Sequence, residues 1–536
     1  MRILSLTSAH DSSLCVLNDG QVEYFSKEER LTRKKRDKTA KVSLQNVKGP
    51  IDYAILCSPT YSQYDKELEN YLKKTFNCKV INFHKYHHLS HASLAHHNSG
   101  FDKSLTVVID RNGGCHNTMR ESETIFEVTE NNFKEIYKSF WLFNIGEEYD
   151  RYILEQIDSL KQQNPDCEYV ADSTMNITKV YETATTLIGE NPLENGKTMG
   201  LSSYGMDKQF KNLFENGVPK THLFWHKKDE DRKVLLKEHL HNQSNGVDKN
   251  NYQFYADYAY QVQKQTQEET LRLIKRYVKK TGIKNVCVTG GYGLNVVCNS
   301  YLVKNLPDVN FYFEPLADDG GNSIGSAIYF WKQLTNNTDV SKLTHTFFNH
   351  KKDSKEIQGT NVTIKEIAKL LSDKKIVAVY NGMAEAGPRA LGNRSILYDA
   401  RDKNAKDVVN KVKNREWYRP FAASVLKEHA HSYFDMMNLT ECPFMTNSFN
   451  VISNSIPGVV HVDNSCRVQT VDNSVPHFYE LLNEFNSLTG VPVLLNTSFN
   501  IAGEPLVETI DDAIKTFNNS QIDILWFPEN NLMLYK

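Results

Sequence analysis

The stretch HHLSHAS, residues 87–93, carries three imidazoles in five consecutive positions. If 87–97 is helical, His87 and His91 stand four apart on one face, a spacing at which two imidazoles can hold one metal ion. His88 then points away. No Glu follows the first His, so the H-E-x-x-H peptidase arrangement is not indicated. Two carboxylates could complete a ligand set. Asp110 ends the apolar run LTVVID (105–110), and Asp319 lies in EPLADDGGNSIGSA (314–327), each with glycines following. Two imidazoles and two carboxylates with an open position suit a first-row metal that binds a phosphate or acyl oxygen. The same residues also fit an exposed histidine pair and two helix caps. Only convergence in space separates the two readings.

A second concentration of chemistry lies later in the chain. Arg389, Arg394, Lys411, Arg415, Arg419 and Arg467 stand mostly beside Gly, Pro or aromatic residues. A guanidinium fork suits bidentate phosphate contacts, and a lysine adds a point charge. Asn496, Thr497 and Ser498 follow the apolar run VPVLL and could present donors to a phosphate. Surface salt bridges are the alternative use of these cations.

The elements that must position these groups read as α/β. RILSLT (2–7) and SLCVLNDGQVEYFS (13–26) are strands, the second broken by a hairpin turn at Asn18-Asp19-Gly20. LTVVID and NVCVTGG (285–291) read as buried strands ending where ligands gather in open α/β sheets. Residues 258–282 form a long helix closed by Gly282. The charged run KEERLTRKKRDK (27–38) has the composition of a solvated face. Polar, weakly periodic residues 334–362 mark a boundary, giving domains 1–345 and 346–536. A second α/β unit then begins with KKIVAVYNG (374–382). Residues 111–176 contain no interpretable motif, and there are no internal repeats.

Bulk properties narrow the class. A chain of 536 residues exceeds one ordinary core. Its 63 basic and 65 acidic residues balance to −2, which gives no global pull toward nucleic acid or an anionic membrane. Nine cysteines without a C-x-x-C pair argue against a disulfide framework and a thiolate zinc site. No signal peptide or membrane span is evident, so a cytoplasmic protein is expected.

Taken together, several stretches resemble the NodU/CmcH-type O-carbamoyltransferases, which act on antibiotics and nodulation factors and are related to the tRNA threonylcarbamoyl machinery. They are SAHDSSLCVLNDG (8–20), EERLTRKKRD (28–37), HHLSHAS, NGKTMGLSSYG (195–205), GGYGLNVVCN (290–299) and EPLADDGGNSIGSA. AGPRALGNRSIL (386–397), NREWYRPFAASVL (414–426), SCRVQTV (465–471) and NTSFNIAGEPLV (496–507) continue the match in order. The resemblance implies an N-terminal actin/Hsp70-like, duplicated α/β fold and a C-terminal YrdC-like α/β domain. It implies two steps: carbamoyl phosphate and ATP, with Mg²⁺, give carbamoyl-adenylate in the second domain, and the first passes the carbamoyl group to a hydroxyl. His87, His91, Asp110 and Asp319 fall on the family's metal ligands, for which Fe(II) is usual. Lys35 matches a carbamoyl-adenylate contact, and Arg389 and Lys411 match carbamoyl-phosphate positions. Gly290 and Gly291 would bring backbone close to the nucleotide, with Asn295 as a hydrogen-bonding partner; a tight strand–helix turn is the alternative. Arg415, Arg419, Arg467, Asn496 and Ser498 complete the expected anion site. His10 and Asp11 match the position facing the acceptor. An imidazole can take an alcohol's proton near neutral pH, so His10 is the expected base and Asp11 its orienter.

Departures accompany the match. The family commonly has D-G-x-G-E where this chain has DRNGG (110–114), so Arg111 adds bulk and charge beside Asp110. The chain is also longer after Asp110, and part of 115–176 is expected to help bind the acceptor. That acceptor is a small-molecule or sugar hydroxyl, or a hydroxymethylated nucleobase in DNA with RLTRKKR near the polynucleotide backbone. No membrane partner is expected; a homodimer is compatible. Two rivals remain: an actin-fold sugar kinase or ATPase, and a nonenzymatic ATP-dependent regulator with a structural metal.

Overall fold

The computed structural model describes residues 1–116, 119–142, 147–172, 177–208, 213–215, 218–219, 247, 250, 252–349 and 355–536. Its first sheet runs Gln21–Lys27, Ser13–Asn18, Arg2–Thr7, Tyr53–Leu56, Lys79–Asn82, which is the third, second, first, fourth and fifth strand in chain order. The first three pair antiparallel and the last two parallel. The second sheet repeats this arrangement. Asn132–Leu142, Met119–Thr129 and Lys103–Ile109 pair antiparallel, then Asn285–Thr289 and Asn310–Phe313 add in parallel. Glu168–Asp172 extends its edge. The duplicated α/β unit is therefore present, although no repeat shows in the residues. A sheet order needs only apolar strands of the right length, which many sequences supply.

Within 115–176, a stretch without a motif, the described residues include two long strands. Met119–Thr129 and Asn132–Leu142 are the second and third strands of the repeated order, paired through Glu123↔Ile109 to Thr129↔Lys103. They belong to the sheet and are not an inserted module.

The third sheet is confined to residues 360–535 and has ten strands, with Val377–Tyr380, Arg394–Asp399, Val493–Ser498 and Ala422–Leu426 adjacent at its centre. Helices Ile364–Ser372 and Pro476–Thr489 bury Ile367, Leu371, Phe478 and Phe485 on one face. Helices Ala405–Lys413 and Ile510–Asn518 bury Val409, Ala513 and Phe517 on the other. Arg394 is not available to a ligand here. It is buried, stacks 3.7 Å over Tyr380, and donates to the carbonyls of Asn381, Asn393, Gly382 and Glu508.

The charged run 27–38 is an inter-unit strap. After the short helix Glu28–Thr32, Arg33 donates to the carbonyls of Leu506 at 2.6 Å and Pro505 at 3.0 Å. Arg30 reaches the carbonyl of Gly387, and Arg36 approaches Glu194. Three of its arginines are thus engaged within the protein, while Lys34 and Lys35 are exposed.

The two halves of the duplicated unit meet where helix His87–Ser99 crosses helix Asn322–Thr335. Gly325 makes the crossing possible: a Cβ there would lie 2.1 Å from the carbonyl oxygen of Ser90. Helix propensity alone favours alanine over glycine by about 1 kcal/mol. Overlap with a fixed backbone oxygen outweighs that gain, since overpacking costs about 1–3 kcal/mol. Gly325→Ala should therefore lower the melting temperature and weaken metal binding together; a raised melting temperature would show the crossing to be loose.

Candidate functional site

The crossing brings four side chains from three places to one point. His87 and His91 come from the first helix, Asp110 from the end of strand Lys103–Ile109, and Asp319 from the turn before the second helix. One ligand atom from each lies within 4.8 Å of all the others, and all four residues are buried. His87 Nε2 is 3.3 Å from Asp319 Oδ1 and 3.7 Å from Asp110 Oδ2; His91 Nε2 is 3.6 Å from Asp319 Oδ1. His87 Nδ1 lies 3.3 Å from the carbonyl oxygen of Cys57, which turns Nε2 inward. His88 faces elsewhere, onto Thr124 Oγ1 at 2.7 Å, and burial lowers its pKa to about 3.

Among the described residues, no lysine or arginine forms an ion pair with Asp110 or Asp319. Burial opposes charge on both acids, but the imidazoles hold both well below the carboxylate range. Burial likewise opposes protonation of His87, and the two aspartates more than offset it. A dense, buried anionic centre of nitrogen and oxygen donors fits a first-row divalent cation. Asn322, absent from the sequence reading, joins the centre: its Nδ2 lies 3.0 Å from His91 Nε2 and 3.2 Å from His87 Nε2. Nothing in its local sequence marks it.

The centre borders a cavity of about 250 Å³ lined by His10, Asp11, Asp110, Arg111, Thr178, Tyr181, Asn195, Gly291, Asp318, Asp319 and Arg389, among others. His10 Nε2 meets Asp11 Oδ2 at 3.2 Å, and its Nδ1 lies 3.8 Å from Asp319 Oδ2. Burial, then Asp318, raises the pKa of Asp11 to about 6. Asp318, which the sequence reading passed over, is anchored by Lys27 Nζ at 2.7 Å.

The glycine turn braces the ligand set. Gly290 has φ +84°, and a Cβ there would lie 2.4 Å from the Ile109 carbonyl oxygen. Gly291 N–H donates to Asp110 Oδ1 at 3.0 Å, orienting that carboxylate. Asn295 caps helix Val296–Asn305 through Cys298 N at 3.0 Å and donates to Gln263 at 3.0 Å. Gly291 and Asn295 also line the first cavity.

A second cavity, about 420 Å³, adjoins the first, with Pro388 and Arg389 lining both. It is lined by Lys35, Lys413, Arg415, Arg419, Arg467, Asn496, Thr497 and Ser498, among others. Its cations crowd one another. Burial and then Arg467 and Arg419 push Arg389 well down; burial and then the same two neighbours depress Arg415. Arg467 falls to about 10, chiefly through burial. An oxyanion in this space would relieve both terms at once. Glu416 is divided between Lys197, at 2.6 Å from across the unit boundary, and Arg419 at 3.5 Å. Arg389 Nη2 donates to the Leu294 carbonyl at 2.9 Å, fixing the shared wall.

Lys411 requires a correction. It is exposed and does not line the cavity, whereas Lys413 is buried there. Positions two apart on a helix face nearly opposite ways, and Val409 and Val412 already mark the inward face. Lys413 Nζ donates to Ser498 Oγ at 3.2 Å and to the Asn500 carbonyl at 2.9 Å. Asn496 and Ser498 mainly brace the loop. Asn496 Nδ2 donates to Ser424 at 2.9 Å and Gln469 at 3.1 Å, and Ser498 Oγ to Asn500 Oδ1 at 2.7 Å.

Among the described residues, nothing from 115–176 lines the first cavity; Thr178, Tyr181, Leu193, Asn195, Gly196 and Met199 do. No helix among the described residues is long and apolar enough to cross a membrane.

Comparison with known proteins gives the family. The family model described as "Carbamoyltransferase N-terminus" matches residues 56–328, and "Carbamoyltransferase C-terminus" matches 368–534. The chain belongs to the carbamoyltransferase family, of the NodU/CmcH type, and is an enzyme of carbamoyl transfer. It is 27% identical to nodulation protein NolNO of Sinorhizobium fredii, over 96% of this chain and 78% of that protein. Nodulation protein U of Rhizobium tropici is 34% identical over 46% of this chain and 43% of its own. Full-length HypF, in a phosphate- and nucleotide-bound crystal form, superposes with a TM-score of 0.39 at 16% identity, covering 62% of this chain and 55% of HypF.

If the second cavity is an anion site, Lys413→Met should weaken pyrophosphate binding roughly tenfold to a hundredfold, the worth of one charge-assisted hydrogen bond. Lys411→Met should leave it unchanged by calorimetry. Equal losses would restore Lys411 to the site.

Proposed function

We propose that the protein is an ATP-dependent O-carbamoyltransferase that uses carbamoyl phosphate and works through carbamoyl-adenylate. The observation that carries this reading is the shared wall: a cation-rich cavity and a cavity with a buried ligand set meet at Pro388 and Arg389. In this reading residues 346–536 form the adenylate and residues 1–345 transfer it. Lys413, Arg389, Arg415, Arg419 and Arg467 hold the phosphates of carbamoyl phosphate and Mg²⁺-ATP, with Lys35 at the mouth. Carbamoyl phosphate, water and ATP give carbamoyl-adenylate, phosphate and pyrophosphate. The adenylate then passes Arg389 with a short path and little chance of hydrolysis.

A divalent metal, Fe(II) in the family, would be held by His87, His91, Asp110 and Asp319; when bound it supplies Lewis-acid stabilisation of charge on carbamoyl or phosphate oxygens. In the transfer step the acceptor oxygen bonds to the carbamoyl carbon, the carbon–oxygen bond to AMP breaks, and the hydroxyl proton goes to His10. The Nε2 edge of His10 is occupied by Asp11, so the Nδ1 edge, 3.8 Å from Asp319, is the one that meets the hydroxyl. Asp11, its pKa raised to about 6 by burial and then Asp318, orients the ring. Holding adenylate and acceptor side by side recovers much of the association entropy.

The products test this. AMP and pyrophosphate should form only when carbamoyl phosphate is present, whereas a kinase would make ADP without it. Arg389→Ala should abolish AMP formation. His87→Ala should spare it and block ester formation. Unchanged transfer in His87→Ala would remove the ligand set from the reaction.

A further inference from the structure

Arg111, which replaces the small residue of the family pattern, stands in the wall of the transfer cavity beside Asp110. Its Nε and Nη2 donate to Glu182 Oε2 and Oε1 at 2.8 and 2.7 Å, fixing the guanidinium side-on. Glu182 sits on helix Ile177–Leu187 and also accepts from Lys179 Nζ at 3.1 Å, so it divides its charge between two cations. A side-on pair uses one edge of the planar fork and leaves the end-on edge to a second oxyanion. Among the described residues, Arg111 Nη1 donates to nothing, and the side chain is 34% exposed.

Asp11, Asp110, Asp318 and Asp319 line the cavity together with two guanidinium groups, Arg111 and Arg389. Arg111 lies close enough to Asp110 and Asp319 to feel both charges. An anionic substituent in this space has only the two guanidinium groups to pair with, and Arg389 is engaged by the Leu294 carbonyl. A neutral hydroxyl has no such requirement and can approach His10.

We propose that Arg111 determines acceptor specificity by binding a phosphate carried by the hydroxyl compound. The inference rests on the carbamoyl-transfer reading above. The preferred acceptor is then a phosphorylated hydroxyl compound, its phosphate on the end-on edge of Arg111 and its hydroxyl at His10.

The test offers the loaded enzyme, with ATP and carbamoyl phosphate, matched acceptor pairs. These are a hexose phosphate against the free hexose, and hydroxymethyl-deoxycytidine monophosphate against its nucleoside, with the carbamoyl ester quantified by mass spectrometry. The wild type should favour the phosphorylated member of at least one pair. Arg111→Met should raise the KM for that member roughly tenfold to a hundredfold and leave the other within about twofold. Arg111→Lys should restore part of the preference and serves if the methionine variant does not fold. An equal change for both members would mean that Arg111 contacts the adenylate or merely clamps the helix, and would overturn the proposal. So would a wild type indifferent to phosphate, or one that carbamoylates no phosphorylated probe, or one that accepts only hydroxymethylated duplex DNA regardless of Arg111. Absence of AMP and pyrophosphate in the wild type would instead defeat the transfer reading, so the two failures appear in different products.

Discussion

The backbone contact between two helices governs this molecule. Helix Asn322–Thr335 can approach helix His87–Ser99 only because Gly325 offers no side chain to the Ser90 carbonyl. One helix follows the first half of the duplicated unit and the other follows the second, so the crossing joins them. It also sets the distance from the two imidazoles to Asp319 and Asn322. Four polar groups are buried there without a lysine or arginine partner among the described residues, an arrangement that is costly unless a cation completes it. The helices are held together by apolar packing of Leu94, Ile324 and Ile328, which supplies the stabilisation the polar centre lacks.

Around that centre the charges fall into two cavities. Asp11, Asp110, Asp318 and Asp319 line one cavity beside Arg111, and Lys413, Arg415, Arg419 and Arg467 line the other beside Glu29, Glu194, Glu416 and Glu504, with Arg389 on the boundary. Each cavity taken alone is electrostatically unfavourable, as the depressed arginines and the raised Asp11 show. Each is the kind of site that a ligand of opposite charge would stabilise. The glutamates present are shared: Glu416 pairs with both Lys197 and Arg419, and Glu504 accepts a hydrogen bond from Thr516. Arg30 and Arg33 of the strap join the two units around this boundary with carbonyl contacts to Gly387 and Leu506 and a carboxylate contact to Asp512.

Much of this was legible in the residues, for definite reasons. His87 and His91 stood at helical spacing, and Asp110 and Asp319 followed apolar strands, where loops converge in α/β sheets. The Asp19-Gly20 hairpin formed as its residues required, with φ of 45° and 83°. Other readings failed where local pattern was silent. Lys411 and Lys413 are chemically equal, and only the inward face marked by Val409 and Val412 separates them. Arg394 resembles a ligand in sequence but is spent on four carbonyls. Strands Met119–Thr129 and Asn132–Leu142 carried no readable motif; they hold buried Glu121, Glu123 and Lys138, which interrupt the apolar alternation.

The chain's residues by themselves settled the inventory: which side chains could bind a metal or a phosphate, and which segments would be strands or helices. Those properties are local, set by donor chemistry and by periodicities of two and 3.6 residues. Tertiary structure alone decided which members of the inventory met. Asn322 entered the ligand centre, Asn295 became a cap, and Arg111 turned to Glu182, because such partnerships depend on distances between segments far apart in the chain. Helix crossings and sheet order set those distances, and no short stretch of sequence encodes them.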